Sequence, residues 1–213
     1  LQILKEGNER FRTGRQLMRD LGRQVEATAA GQHPLAVILS CIDSRSPAEL
    51  IFDLGVGDIF NVRLAGNVTS RKALGSIEYA CAVAGAKLVV VMGHTRCGAV
   101  KAAVDLICAG KNAAEATGCD HLDHIVQEVQ RAVDRATCLT AANLPADEKQ
   151  AFVNSIARRN VDHAVAVLRQ KSRVLAQLVQ EGRLVIIGAM YDVATGAIEF
   201  LADEGNSPPT ASS

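Results

Sequence analysis

The sequence predicts an α/β fold. It should hold a mostly parallel sheet of four strands, a fifth antiparallel strand at the sheet edge, helices on both faces and a helical arm at the N-terminus. Three observations lead there. Short strand-like runs recur along the chain, several of them apolar without interruption, as strands buried on both faces are. Helical stretches alternate with those runs, which calls for right-handed crossovers and parallel pairing. The last apolar run leads into a turn pattern and a short return segment, the signature of a hairpin.

The elements follow in order. The opening LQILKEGNERFRTG (1–14) puts Leu1, Leu4, Asn8 and Phe11 on one helical stripe. That stripe is too thin for a core of its own, so the arm is expected to pack on a neighbouring body such as a second subunit. Residues 15–33 are polar and are expected to wrap the surface. Residues 35–40 (LAVILS) form the first strand, and 47–52 a helix with Pro47 in its first turn. Residues 58–63 are the second strand, and 71–84 a helix with Leu74, Ile77, Tyr79 and Cys81 in its stripe. The third strand is 87–92 (KLVVVM), followed by a helix over 97–108 and a small-residue loop, AGKNAAEATG, over 109–118. A helix over 120–136 carries Leu122, Ile125, Val126, Val129 and Val133, and a long helical stretch over 148–181, one helix or two, ends at Gly182. Residues 184–188 form the fourth strand, and 191–196 turn into the edge strand 197–201. Residues 1–201 read as one domain and 202–213 as a disordered tail.

Composition narrows the function. Lys plus Arg and Asp plus Glu both total 23 in 213 residues, so no basic face for nucleic acid is expected. Aromatics make up 3% with no Trp, which disfavours base-stacking platforms. No run is long and apolar enough to span a membrane. Six cysteines in a chain of this size do not read as a disulfide scaffold; reduced or metal-bound thiols in the cytoplasm fit better. Gly55-Val56-Gly57 begins a dinucleotide fingerprint, but Phe60 stands where its third glycine belongs. No phosphate-binding loop, Cys-x-x-Cys pair or nucleophile elbow is present.

Two segments carry chemistry: Cys41-Ile42-Asp43-Ser44-Arg45 and His94-Thr95-Arg96-Cys97-Gly98. Each follows an apolar strand, and sites in open α/β sheets form beyond the carboxyl ends of strands. Two thiolates and an imidazole suit Zn2+, and three protein ligands leave the fourth position open, as catalytic sites do. Asp43 could itself ligate the metal and close the site, or Arg45 could pair with Asp43 and hold it off the metal to orient bound water. The other thiols read more plainly: Cys81, Cys108 and Cys138 as small core residues, Cys119 as surface loop, and His121 and His124 as a solvated helix face.

These residues resemble the β-class carbonic anhydrases, whose pattern is Cys-x-Asp-Ser-Arg followed by His-x-x-Cys-Gly. NVRLAGNV (61–68), with Leu64 in place of the usual Asn, SIEYA (76–80) and GAMYDVATGAIEFL (188–201) are also similar to family segments. The resemblance implies zinc ligation by Cys41, His94 and Cys97, a catalytic dyad of Asp43 and Arg45, and reversible hydration of carbon dioxide to bicarbonate and a proton. Zinc would bring the pKa of bound water toward ~7. Gln32 would hydrogen-bond substrate, Phe60, Tyr79 and Ala65 would line its cleft, and Gly98 would bring a backbone N–H close. One branch of the family has a non-catalytic bicarbonate site needing Trp three residues before the first Cys. Ile38 stands there, so the open plant-type form is implied, with Asp43 on Arg45 and water as fourth ligand.

The family builds its cleft at a dimer interface, so a homodimer or dimer of dimers is implied. The 109–136 region is similar to members fused behind membrane anion transporters, and a chain without an initial Met is compatible with such a fusion. The expected location is the cytoplasm, or the cytoplasmic side of such a transporter, without direct membrane insertion. Hydrolysis of carbonyl sulfide or carbon disulfide uses the same metal set and is the nearer rival. A catalytically idle zinc domain is the other, disfavoured by the intact Asp43 and Arg45.

Overall fold

The protein, a computed structural model, is described over residues 1–141 and 143–201. The predicted disordered tail, 202–213, lies outside the described residues. Five strands form one sheet: β1 Ala36–Ser40, β2 Ile59–Arg63, β3 Leu88–His94, β4 Val185–Tyr191 and β5 Ile198–Phe200, in the order β2-β1-β3-β4-β5. The first four are parallel, and β5 returns antiparallel to β4. The predicted sheet is therefore present, with β2 and β5 as its open edges.

Successive side chains of a strand point to opposite faces, and both faces are covered. Val37 and Leu39 of β1 join Val89 and Val91 of β3 and Ile186 of β4 in the larger core. That core is closed by α4 Arg71–Glu78, α5 Gly98–Ala109, α7 Leu122–Gln130, α9 Ala146–Lys171 and α10 Arg173–Gln180. Ala36, Ile38, Val90, Met92 and Ala189 face the smaller core, closed by α1 Gln2–Arg12 and α3 Ala48–Ile51.

Several elements depart from the sequence reading, each for a local reason. The arm α1 docks on its own chain. Leu4 is fully buried in the smaller core with Ile51 and Phe52. Asn8 Nδ2 donates to the carbonyls of Ile51 (3.2 Å) and Gly196 (2.8 Å), while its Oδ1 accepts from the Ile198 N–H (3.0 Å). Residues 15–33 lie on the surface as expected and also hold a helix, α2 Leu21–Thr28, which starts where the Asp20 carboxylate accepts the Arg23 N–H, a capping signal in the sequence. The expected loop 109–118 holds a short helix, α6 Ala113–Thr117, capped by Asn112.

The helix expected over 120–136 stops at Gln130. A new one, α8 Arg135–Thr140, begins where Asp134 accepts the Thr137 N–H at 2.7 Å; a side chain that caps locally competes with helix continuation. The long stretch 148–181, read as one helix or two, is two: it divides at Ser172, whose hydroxyl caps α10. The helix expected over 71–84 ends as α at Glu78 and continues as a π-turn, Tyr79–Val83. The wider turn changes the facing of the residues that follow. Cys81 is buried as expected, while Tyr79 leaves the stripe and is 57% exposed.

Candidate metal centre

β1 and β3 lie side by side, so their carboxyl ends deliver both sequence segments to one place. Cys41 follows β1, His94 is the last residue of β3, and Cys97 caps the N-terminus of α5. The three are buried, and one ligating atom from each lies within 4.8 Å of the others. Cys41 Sγ and Cys97 Sγ are 3.9 Å apart. Tetrahedral coordination with metal–sulfur bonds of ~2.3 Å would put two sulfurs about 3.8 Å apart. The His94 Nδ1–H donates to the Thr95 carbonyl at 2.9 Å. That sets the tautomer with the Nε2 lone pair free, and Nε2 is buried without a partner. Such an orphaned acceptor beside two thiols fits a cation. Among the described residues no second cluster of this kind forms; Cys119, His121 and His124 are exposed, as expected from the sequence.

The electrostatics match. Hydrogen bonding from Cys97, and from backbone N–H groups including that of Gly66, favours the Cys41 thiolate and holds its pKa at about 4 against the opposing effect of burial. The resulting negative charge, with burial, drives Cys97 the other way. The pair therefore favours a thiolate at Cys41, and a divalent cation would stabilise both sulfurs as thiolates.

Asp43 is gripped by Arg45. Arg45 Nε donates to Oδ1 at 2.9 Å and Nη2 to Oδ2 at 2.8 Å, and the Arg45 backbone N–H adds a third bond to Oδ1. These bonds hold the Asp43 carboxyl down at about 2. Oδ2 lies 3.9 Å from His94 Nε2, so the paired carboxylate faces the centre without replacing a ligand. Arg45 Nη2 also reaches the Arg96 carbonyl at 3.3 Å, tying the two turns together.

Two contributors were not singled out in the sequence. Arg63, the last residue of β2, donates to the carbonyls of Cys41 (2.9 Å) and Asp43 (2.6 Å) and pins the turn that carries both. The Gly66 N–H donates to Cys41 Sγ at 3.3 Å. Gly66 has φ +66°, where a Cβ is disfavoured. Their signal was the block NVRLAGNV, read there as a resemblance and not as a network.

The family described as carbonic anhydrase matches this chain over residues 36–198, an interval that contains the whole constellation. The chain belongs to the carbonic anhydrase family. Carbonic anhydrase 2 of Mycobacterium tuberculosis is 39% identical over 206 residues, covering 96% of this chain and 93% of that protein. A carbonic anhydrase of Mycolicibacterium smegmatis is 36% identical over the same shares of each chain. Among solved structures, the β-carbonic anhydrase CafA of Aspergillus fumigatus superposes with a TM-score of 0.70 at 30% identity, covering 88% of this chain and 83% of that one. A tetrameric β-carbonic anhydrase of Sordaria macrospora superposes at 0.69 and 26% identity, over 85% and 91%. This carbonic anhydrase is therefore of the β class, and its activity is the reversible hydration of carbon dioxide.

Not every residue expected in its substrate cleft reaches the centre within one chain. Ala65, beside Gly66, and Gly98, the first residue of α5, do adjoin it. Phe60 does not: it pairs with Val37, four residues before Cys41 and so about 13 Å away along the strand. Phe60 and Tyr79 instead share an open groove of about 520 Å³ with Val62 and Lys72, on the free edge of the sheet. Gln32 lies beyond the other end of β1, in a surface pocket with Thr28 and Gly57. The reason is topological: parallel strands send their starts and ends to opposite sides, Gln32 and Phe60 lie near the starts of β1 and β2, and Tyr79, in the π-turn after α4, packs beside Phe60. No described helix is long and apolar enough to cross a membrane.

Proposed function

We propose that this carbonic anhydrase works with one zinc ion held by Cys41, His94 and Cys97, with Asp43 and Arg45 as the catalytic dyad. The observation that carries this reading is the buried, partnerless His94 Nε2 beside two sulfurs spaced for tetrahedral coordination. Zinc, when bound there, supplies the ionisation of water near neutral pH. The residues of the chain do the rest. Asp43, ionised and pinned by Arg45, would accept a hydrogen bond from the attacking water and set its direction toward carbon dioxide. It accepts only, so it selects one orientation of the nucleophile. The Gly98 N–H, at the start of α5, would hold a polar oxygen of the product.

We further propose that the active cleft is completed in a homodimer or dimer of dimers. Phe60, Tyr79 and Gln32 of a second copy would close over the centre and supply the apolar pocket for carbon dioxide. This is supported by the free β2 edge and its groove, and by exposed apolar side chains. Met18 is fully exposed, and Leu17, Leu21 and Val25 are each 56% exposed.

Metal analysis, stopped-flow hydration and light scattering test this together. The purified chain should carry one zinc per subunit and behave as a dimer or larger. Cys41→Ser should lose the zinc and the activity. Full zinc occupancy in that variant would refute the ligand set. A monomer with full activity would refute the shared cleft.

A further inference from the structure

The turn that joins His94 to Cys97 is not free-standing. Arg96, between the two ligands, has φ +55°, a left-handed conformation that a non-glycine residue holds only when its surroundings impose it. Two groups hold it. The Arg96 N–H donates to Oδ1 of Asn154, on α9, at 2.9 Å. The Arg96 carbonyl accepts from Arg45 Nη2 at 3.3 Å. Asn154 is itself oriented, because Gln150, one turn earlier on α9, donates its Nε2–H to the same Oδ1 at 3.0 Å. That bond keeps the oxygen end of the amide toward the turn.

The same helix serves the other thiolate. Asn160, 1% exposed, donates its Nδ2–H to the Gly66 carbonyl at 2.7 Å, and the Gly66 N–H donates to Cys41 Sγ. So α9, which contributes no ligand, reaches both turns through side-chain amides.

We infer that Asn154 is a positioning residue: its side-chain oxygen holds Arg96 in the conformation that aims His94 and Cys97 at one centre and keeps the Arg96 carbonyl within reach of Arg45. The inference rests on the zinc reading above. It has two consequences. Without the Asn154 oxygen, the ligand turn relaxes and metal is held less well. The anchor that Arg45 uses moves too, so Asp43 loses part of its fixed orientation. A conservative replacement that keeps the acceptor should preserve both.

The experiment compares zinc-loaded parent, Asn154→Ala, Asn154→Asp and Gln150→Leu. Zinc release to the chromogenic chelator 4-(2-pyridylazo)resorcinol is followed alongside kcat and KM for carbon dioxide. Groups that orient metal ligands typically change affinity roughly ten- to a hundredfold. Asn154→Ala should therefore release zinc at least ~10-fold faster, with kcat reduced and KM little changed. Asn154→Asp should restore most of both, and Gln150→Leu should fall between parent and Asn154→Ala. Should Asn154→Ala fail to fold, Asn154→Asp and Gln150→Leu carry the comparison. Zinc release at the parent rate in both Asn154→Ala and Gln150→Leu would overturn the inference. So would Asn154→Asp behaving like Asn154→Ala. A parent protein without zinc would overturn the zinc reading itself, an outcome distinct from a zinc-bearing parent whose variants match it.

Discussion

Replacing Gly7 by Ala sets helix propensity against packing. Gly7 lies inside α1, where an exposed glycine-to-alanine change stabilises by about 1 kcal/mol. Here the added Cβ would lie 1.8 Å from the Phe52 carbonyl oxygen and 2.7 Å from its carbon. Those are backbone atoms at the end of α3 and cannot swing aside. The arm would have to lift by about 2 Å to reach ordinary contact distance. Lifting opens the burial of Leu4, a side chain whose transfer contributes ~2 kcal/mol. It also stretches the three hydrogen bonds of Asn8, at ~1 kcal/mol each. After the propensity gain, the net loss is about 4 kcal/mol if none of these contacts re-form and about 1.5 kcal/mol if half of the contact loss is recovered. Urea unfolding followed by far-UV circular dichroism measures the loss, and limited proteolysis between residues 12 and 20 reports whether the arm has lifted. A variant as stable as the parent, with an equally protected arm, would show that α1 is not seated on Phe52 as described.

Arg45→Ala should still bind zinc, since Asn154 continues to hold the Arg96 turn, yet lose roughly a hundredfold or more in hydration rate because Asp43 is no longer held; an unchanged stopped-flow rate would remove the dyad from the mechanism. Asp53, 4% exposed, clamps the arm between Arg10 and Arg19. Burial works against its charge, but the bonds from the two arginines outweigh it and keep its pKa below the ordinary carboxylate value. A folded-state pKa below the unfolded one contributes stability that is present above the unfolded value and lost as pH falls through the folded one. Asp53→Asn should therefore cost roughly 2 kcal/mol at pH 7, with the gap to the parent closing as pH drops below ~3.9. Urea midpoints across that range check the sign, and a gap that widens on acidification would reverse it.

The sequence by itself determined the alternation of strands and helices, the hairpin at the end and the five residues of the centre. All of these depend on local properties: apolar runs, turn residues, and ligand types placed directly after strands. Asp43 and Arg45 are two residues apart on one turn, so their pairing was readable before any fold was known. Tertiary structure alone decided what lies far apart in sequence or depends on strand direction. That Arg63 braces the Cys41 turn follows from β2 lying beside β1, and that Asn154 and Asn160 reach the two turns follows from the path of α9 across the sheet. The seating of α1 on its own chain required the hairpin near Gly196 to come within reach of Asn8. Gln32 and Phe60, expected around the metal from motif position, lie away from the centre of their own chain because a parallel sheet carries the start and the end of a strand to opposite sides, and Tyr79 lies with Phe60. The physical reason is common to all of these. Backbone hydrogen bonding and side-chain periodicity act over a few residues, whereas the contacts that complete this site span tens of residues and exist only once the sheet order is set.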